Sequence, residues 1–226
     1  MRRCCNLILF ILLLTVPALA VDVSSLVAAA PGMDQFPGDD IVVLYQSETI
    51  DVDAHLRVTR RVHTVRRLQT QWAMRSQADV RVAWDAERQE LEVLTARTFM
   101  TDGDVRETPA NGFNEVTPDA VARAVPFLGL REMVITHIGT EPGCVVELEY
   151  VIRDLQAAVL PTGGRLWLGG DHPVLEAHAT VGGHATLTRT VGATADEHAV
   201  HVRGLPAFEA DAEIPHVVWS LPGDLE

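Results

Sequence analysis

Lysine is absent from this chain of 226 residues, and every basic side chain is an arginine. Cysteine is nearly absent as well, because only Cys144 follows the pair Cys4 and Cys5. A single thiol beyond that pair cannot form an internal disulfide, so packing must hold the fold together. The apolar run at residues 7–16 is about half as long as a helix that crosses a bilayer, which needs roughly twenty residues.

The first 20 residues have the three parts of a cleavable secretory signal peptide. Arg2 and Arg3 give a positive start, the apolar run follows, and Pro17 ends it. Ala18-Leu19-Ala20 then offers small side chains before a cut ahead of Val21. We predict a signal peptide at residues 1–20, export to the periplasm or the extracellular space, and no membrane attachment after cleavage.

The charge of the chain is strongly one-sided. Its 31 acidic residues outnumber 18 basic ones, which gives a formal net charge of −13, and removal of Arg2 and Arg3 makes the balance more negative still. Such a surface repels nucleic-acid phosphates and anionic lipid headgroups. We therefore expect neither a nucleic acid nor a membrane as a partner.

β-type patterns dominate from residue 41 onward. Residues 41–52 and 56–68 are predicted to form a hairpin, and Asp102-Gly103 is a strong hairpin signal after residues 91–100. In residues 144–152 the apolar side chains share one face, while Glu147 and Glu149 share the other. Further short β segments follow up to residue 220, and turn residues separate them.

Helical signals are few. The one clear helix start is Thr117 followed by Pro118, and Pro126 ends the segment. We predict an all-β fold, an antiparallel two-sheet β-sandwich with at most one or two short helices. Residues 21–40 are predicted to be a leader or linker, and residues 41–226 a single β-sandwich domain.

Four segments resemble the motifs of a known family in the same order. They are residues 56–66 (LRVTRRVHTVR), 79–103 (DVRVAWDAERQELEVLTARTFMTDG), 114–119 (NEVTPD) and 141–153 (EPGCVVELEYVIR). Together with weaker similarity over residues 41–220, they resemble the N-terminal domain of unknown function of bacterial transglutaminase-like proteins.

This resemblance implies a β-sandwich in an exported bacterial protein, commonly followed by a papain-like transglutaminase or peptidase domain with a Cys-His-Asp triad. The motif that carries such a triad lies outside the matching segments, so no catalytic residue is carried over to this chain. We predict no catalytic residues and no cofactor. The partner that the resemblance implies is a C-terminal transglutaminase-like domain.

Two residue types with chemical potential have simpler interpretations. A catalytic cysteine needs a lowered pKa, whereas Cys144 starts a strand on its apolar face and is predicted to be a buried core residue. Glu147 and Glu149 have a spacing that a glycosidase could use. Their alternation with apolar residues predicts instead the solvated face of a sheet.

The nine histidines require a test for a metal site. His172, His178 and His184 are evenly spaced, but proline and glycine interrupt the strand register between them. His198 and His201 point to opposite faces of an extended strand. Zinc ligands usually form a His-x-His pair on a strand or lie one helical turn apart, so we predict no metal site.

The candidate ligand surface lies in predicted loops, because loops carry recognition more often than regular elements. It comprises Trp167, which stands between two Gly-Gly pairs, and Asn114 and Glu115 in the segment 111–118. We predict an exported, non-catalytic accessory or binding module for a protein or peptide. Two alternatives stay open: an N-terminal fragment of a longer transglutaminase-like enzyme or cysteine peptidase, and a carbohydrate-binding module that uses Trp167.

Overall fold

The computed structural model describes residues 21–119, 121, 129–157, 163–209 and 212–221. Its strands are β1 (Ile41–Val52), β2 (Val58–Leu68), β3 (Asp79–Asp85), β4 (Gln89–Phe99), β5 (Val105–Glu107), β6 (Phe113–Val116), β7 (Leu130–Thr136), β8 (Val145–Asp154), β9 (Gly163–Trp167), β10 (Val174–Gly183), β11 (Thr186–Val191), β12 (Ala199–Leu205) and β13 (His216–Ser220). The helices in this part of the chain are α1 (Val23–Ala28) and α2 (Gln71–Gln77), with 3-10 turns at Met33–Gln35 and Ala110–Gly112. The all-β prediction is confirmed.

The described strands form three sheets. The large sheet has seven strands in the order β12-β10-β1-β2-β8-β4-β5, and two small sheets have the orders β11-β13-β9 and β3-β7-β6. The predicted two-sheet antiparallel sandwich is therefore wrong in sheet number. It is also wrong in direction at one place, because β1 and β10 pair in parallel. More than a hundred residues separate these two strands, which gives the chain the long crossover that parallel pairing requires.

Both small sheets cover the same face of the large sheet. Around β1 and β10, Val43 and Ala177 pack with Val217 and Trp219 of β13. Around β8, Leu148 packs with Trp84 and Ile135 of the other small sheet, along with further apolar residues. The molecule thus has two layers, and the second layer is divided between two sheets. The alternation of apolar residues correctly predicts the inner face but carries no information on this division.

The opposite face of the large sheet is partly covered by residues 21–40. Val23 of α1 packs in one apolar cluster with Tyr45, Val65 and Phe99. The Arg67 side chain on the same face donates hydrogen bonds to the backbone carbonyl oxygens of residues 30 and 31. The segment predicted to be a leader therefore packs against the sheet.

Several local predictions are confirmed. The hairpins β1–β2 and β4–β5 are antiparallel, and Gly103 takes a positive φ of 93° in the second turn, which glycine adopts without steric cost. In the first hairpin the register shifts on β1, between Val43 and Tyr45. No helix in the described part of the chain is long and apolar enough to cross a membrane. The predicted signal peptide at residues 1–20 and most of the predicted helix at residues 117–126 lie outside the described residues.

Candidate functional site

A cleft of about 250 Å³ lies between the large sheet and the β3-β7-β6 sheet. Even-numbered residues of β2 point to this inner face, which brings Thr64 and Arg66 into the cleft beside apolar side chains. His137 enters from the opposite layer, directly after β7. The full lining is Val62, Thr64, Arg66, Gln77, Val80, Arg81, Val82, His137, Val146, Leu148 and Tyr150.

His137 is the most enclosed polar group of the cleft. Only 3% of its surface is exposed, and neither ring nitrogen has a hydrogen-bond partner. Its backbone N–H donates to the Ala78 carbonyl oxygen at 2.8 Å, which fixes the residue at the end of β7. Burial, with a smaller contribution from the nearby Arg66 charge, lowers the pKa of His137 to about 4. At neutral pH the ring is therefore uncharged, with one N–H donor and one acceptor nitrogen, both unsatisfied.

Arg66 brings an unbalanced positive charge to the same cleft. Its Nη1 donates to Gln77 Oε1 at 2.8 Å, but its Nε is buried without a partner. Burial lowers the pKa of Arg66, yet a guanidinium keeps its charge in proteins. Among the described residues, no carboxylate forms an ion pair with it. An enclosed charge without a counterion costs several kcal/mol, which a bound anion would offset.

The cleft's donors and acceptors fit one kind of ligand. The other arginine of the lining, Arg81, pairs with Glu132 at 2.9 Å, so the unpaired positive charge of the cleft is that of Arg66. This charge balances one carboxylate, and a guanidinium binds a carboxylate with two parallel hydrogen bonds. Neutral His137 can donate to an oxygen with one ring nitrogen and accept an N–H with the other. The C-terminus of a peptide supplies both, because its carboxylate adjoins amide N–H groups. The valines and the leucine of the lining can contact an apolar side chain of the same ligand.

Because of His137, the stability of the folded protein should decrease with falling pH already at pH values above those at which carboxylates titrate. Its pKa falls from 6.5 in the unfolded chain to about 4 in the folded protein, so the unfolded state binds more protons in this interval. Stability should therefore be full above pH 6.5 and decrease as the pH falls toward 4, by a total on the order of 3 kcal/mol. Urea denaturation between pH 7 and pH 5 measures the slope, which His137→Leu should reduce. An equal slope in both proteins would contradict this assignment. Burial also lowers the pKa of His172, which adds a slope of the same sign to both proteins.

The opposite face of the large sheet carries a row of polar and aromatic side chains, here called the belt: His201, His178, Tyr45, His63, Glu147 and Arg97. The rings of His178 and His201 stack with centroids 4.2 Å apart. Tyr45 lies 5.3 Å from the His178 ring and 5.5 Å from the His63 ring. The belt therefore crosses six adjacent strands, from β12 to β4, without interruption.

Glu147 lies at the centre of the belt and is only 3% exposed. One carboxylate oxygen is 2.9 Å from His63 Nε2, and the other accepts from Arg97 Nε at 2.5 Å. Burial alone would raise the pKa of Glu147, but these two partners hold it below its usual value. The prediction that Glu147 lies on a solvated face is wrong, because its cross-strand neighbours enclose it. Glu149, on the same face, is half-buried and pairs with Arg61 at 2.6 Å.

One group in the described part of the chain has donor atoms close enough to hold a metal ion. Glu176 and His178 lie on β10 and His201 on β12, and their donor atoms are all within 4.8 Å of one another. Glu176 Oε1 lies 2.8 Å from His178 Nε2 and 3.3 Å from His201 Nε2. The spacing between histidines does not reveal this group, because its third donor is a glutamate. The available signal was the spacing Glu176-x-His178, which puts both side chains on one strand face.

The predicted ligand surface is not assembled. Trp167 is the last residue of β9 rather than part of a loop, and Asn114 and Glu115 lie on β6 of the other small sheet, also in a strand. Trp167 is 47% exposed, but its ring already packs against two side chains. The Arg165 guanidinium carbon lies 5.1 Å from the centre of the Trp167 ring, and the centre of the His216 ring lies 5.0 Å from it. Glu115 lies 3.5 Å from Arg131, and the Asn114 side chain donates to the carbonyl oxygen of residue 111. The prediction that these residues lie in loops is wrong, because both segments form short strands at the edges of their sheets.

Cys144 is buried, as predicted, with 1% of its surface exposed. Burial raises the pKa of its thiol, and a protonated thiol is a poor nucleophile. It packs with Ile41, Leu68 and Val146 in an apolar cluster.

Comparisons with known proteins place these features in context. Residues 54–200 match the family described as a domain of unknown function with a solved structure, DUF3857. The fold is similar to the crystal structure of a candidate protease from Parabacteroides distasonis, with a TM-score of 0.69 and 25% sequence identity. The similarity covers 80% of this chain but only 40% of that chain. No curated protein matches this chain.

Proposed function

This chain belongs to the DUF3857 family, and on that premise we propose that it is an exported, non-catalytic module that binds the carboxylate end of a peptide. The cleft between the two layers is the binding site. The observation that carries this proposal is that Arg66 Nε and both ring nitrogens of His137 are buried without a partner although the two residues line one cleft. Native proteins pair the great majority of such atoms, so unpaired ones that face a common space indicate a ligand.

The accessory role is supported by length and by chemistry. The matched region makes up 40% of the chain of the similar candidate protease. In that protein, a module of this fold is therefore part of a longer chain. Cys144 has a raised pKa and is enclosed by apolar residues, which favours a core role over a catalytic one. We propose that the module works beside a transglutaminase-like or peptidase domain and presents peptide ends to it. The signal peptide pattern at residues 1–20 would place this activity outside the cytoplasm.

Calorimetric titration with paired peptides tests the proposed function. An N-acetylated tripeptide with a free C-terminus should bind the purified chain, and the same peptide with an amidated C-terminus should bind at least about 10-fold more weakly. Arg66→Met should abolish the difference between the two peptides. Arg61→Met is the matched control, because Arg61 lies on the same strand but pairs with Glu149 on the opposite face, and it should bind like the unmodified chain.

Two results would count against this function. One is equal affinity for the acid and the amide, which would mean that the cleft does not recognise the carboxylate. The other is an Arg66→Met variant that retains the preference for the acid. Hydrolysis of the free peptide by the purified chain alone would contradict the non-catalytic part of the proposal.

A further inference from the structure

We propose that Glu176, His178 and His201 form a binding site for a divalent transition-metal ion such as Zn²⁺. This site is independent of the peptide cleft, because it lies on the opposite face of the large sheet and shares no residue with the cleft. Two adjacent strands, β10 and β12, place its three donor side chains close together.

The strand register brings the three donors together. His178 and His201 are directly paired across the antiparallel strands β10 and β12, so their side chains leave the sheet side by side on one face. Glu176 precedes His178 by two residues and therefore shares that face. Each imidazole presents its Nε2 atom to the same carboxylate oxygen, Glu176 Oε1. This shared carboxylate oxygen distinguishes the two histidines from surface histidines that have no common partner.

The distances require only a small adjustment. A tetrahedral zinc ion holds nitrogen and oxygen ligands at about 2.0–2.2 Å, which puts donor atoms roughly 3.3 Å apart. The donor atoms here lie within 4.8 Å of one another. All three side chains are partly exposed, at 26%, 33% and 40% for Glu176, His178 and His201. Their tips can therefore close around an ion without repacking the core.

The donor set decides the class of ion. Two imidazoles and one carboxylate suit Zn²⁺ and its transition-metal neighbours, whereas Ca²⁺ and Mg²⁺ prefer oxygen ligands only. Three protein ligands leave a fourth position open for water or a ligand atom. Arg203 Nη2 lies 3.7 Å from Glu176 Oε1, but its side chain is 71% exposed and can turn into solvent when an ion binds.

Titration of the untagged chain with zinc tests the site. After treatment with a chelator and its removal, the chain should bind one Zn²⁺ by isothermal titration calorimetry, and Zn²⁺ should raise its melting temperature. Glu176→Gln, His178→Ala and His201→Ala should each weaken binding by at least about 10-fold. Mg²⁺ at the same concentration should produce no heat of binding. Far-UV circular dichroism confirms that each variant is folded.

His184→Ala is the matched control, because His184 is an exposed histidine beyond the end of β10 and outside the group. It should bind zinc like the unmodified chain. The proposal would be overturned if the unmodified chain bound less than one ion, or if His178→Ala and His184→Ala bound zinc equally well.

Discussion

Arg66→Met is expected to stabilise the folded chain by about 1 kcal/mol while it removes the affinity of the cleft for carboxylates. Replacing an unpaired enclosed charge by an apolar side chain of similar length removes a desolvation cost. Even a buried ion pair, whose charges compensate each other, can be replaced by apolar side chains with a gain of about 1–4 kcal/mol. We expect the lower end because Arg66 is only partly buried by surface area and because Gln77 loses its hydrogen bond at 2.8 Å. Urea denaturation without added ligand measures the change.

The gain in stability is what separates a binding residue from a structural one. A structural arginine would destabilise the chain when replaced, because its partners would lose their hydrogen bonds. Arg61→Met provides that comparison, since Arg61 pairs with Glu149 at 2.6 Å and its side chain is 45% exposed. It should cost no more than about 1 kcal/mol. If Arg66→Met were the more destabilising of the two, the interpretation of Arg66 as an unpaired binding group would be wrong.

Glu147→Ala is expected to cost about 3 kcal/mol or more. The substitution removes the shared partner of His63 and Arg97 at the centre of the belt, where Glu147 itself is 3% exposed. Breaking a buried ion pair by removal of one member leaves an uncompensated charge, which typically costs about 3–5 kcal/mol. For a domain of this size the melting temperature should fall by roughly 6 °C or more. Differential scanning calorimetry at pH 7 measures it.

The pH dependence of this effect has a definite sign. Burial raises the pKa of Glu147, but His63 and Arg97 lower it by more than burial raises it. The pKa in the folded chain is therefore below 4.5. The stabilisation is therefore present above pH 4.5 and is lost as the pH falls through the folded-state pKa. The difference between the unmodified chain and Glu147→Ala should shrink in acid. Glu92→Ala is the control, since Glu92 pairs with Arg153 at an exposed site, and a cost there equal to that of Glu147→Ala would contradict the account.

Local features of the fold could be predicted because they depend on neighbouring residues. Asp102-Gly103 indicates its own turn, and the alternation around Cys144 and Val146 shows which side chains point inward. Pairing between distant strands depends on geometry that no local pattern contains. The parallel contact of β1 with β10 and the division of the second layer into two sheets were therefore missed.

The candidate sites could not be predicted from the sequence, because they too depend on pairing between distant strands. Arginine on a strand is usually solvated, so Arg66 gave no sign that it faces the inner layer. The alternation of residues predicts the correct face for Glu147, but its burial depends on His63 of β2 and Arg97 of β4, which strand pairing with β8 brings beside it. His201 reaches Glu176 only through the register of β10 with β12.

A crystal structure of the chain with the N-acetylated, free-acid tripeptide is the most direct test of peptide binding by the cleft. We expect electron density for the peptide carboxylate within hydrogen-bond distance of Arg66 Nε and of one ring nitrogen of His137, with the peptide chain between the two layers. Peptide density elsewhere on the molecule, with water alone beside Arg66 and His137, would contradict it.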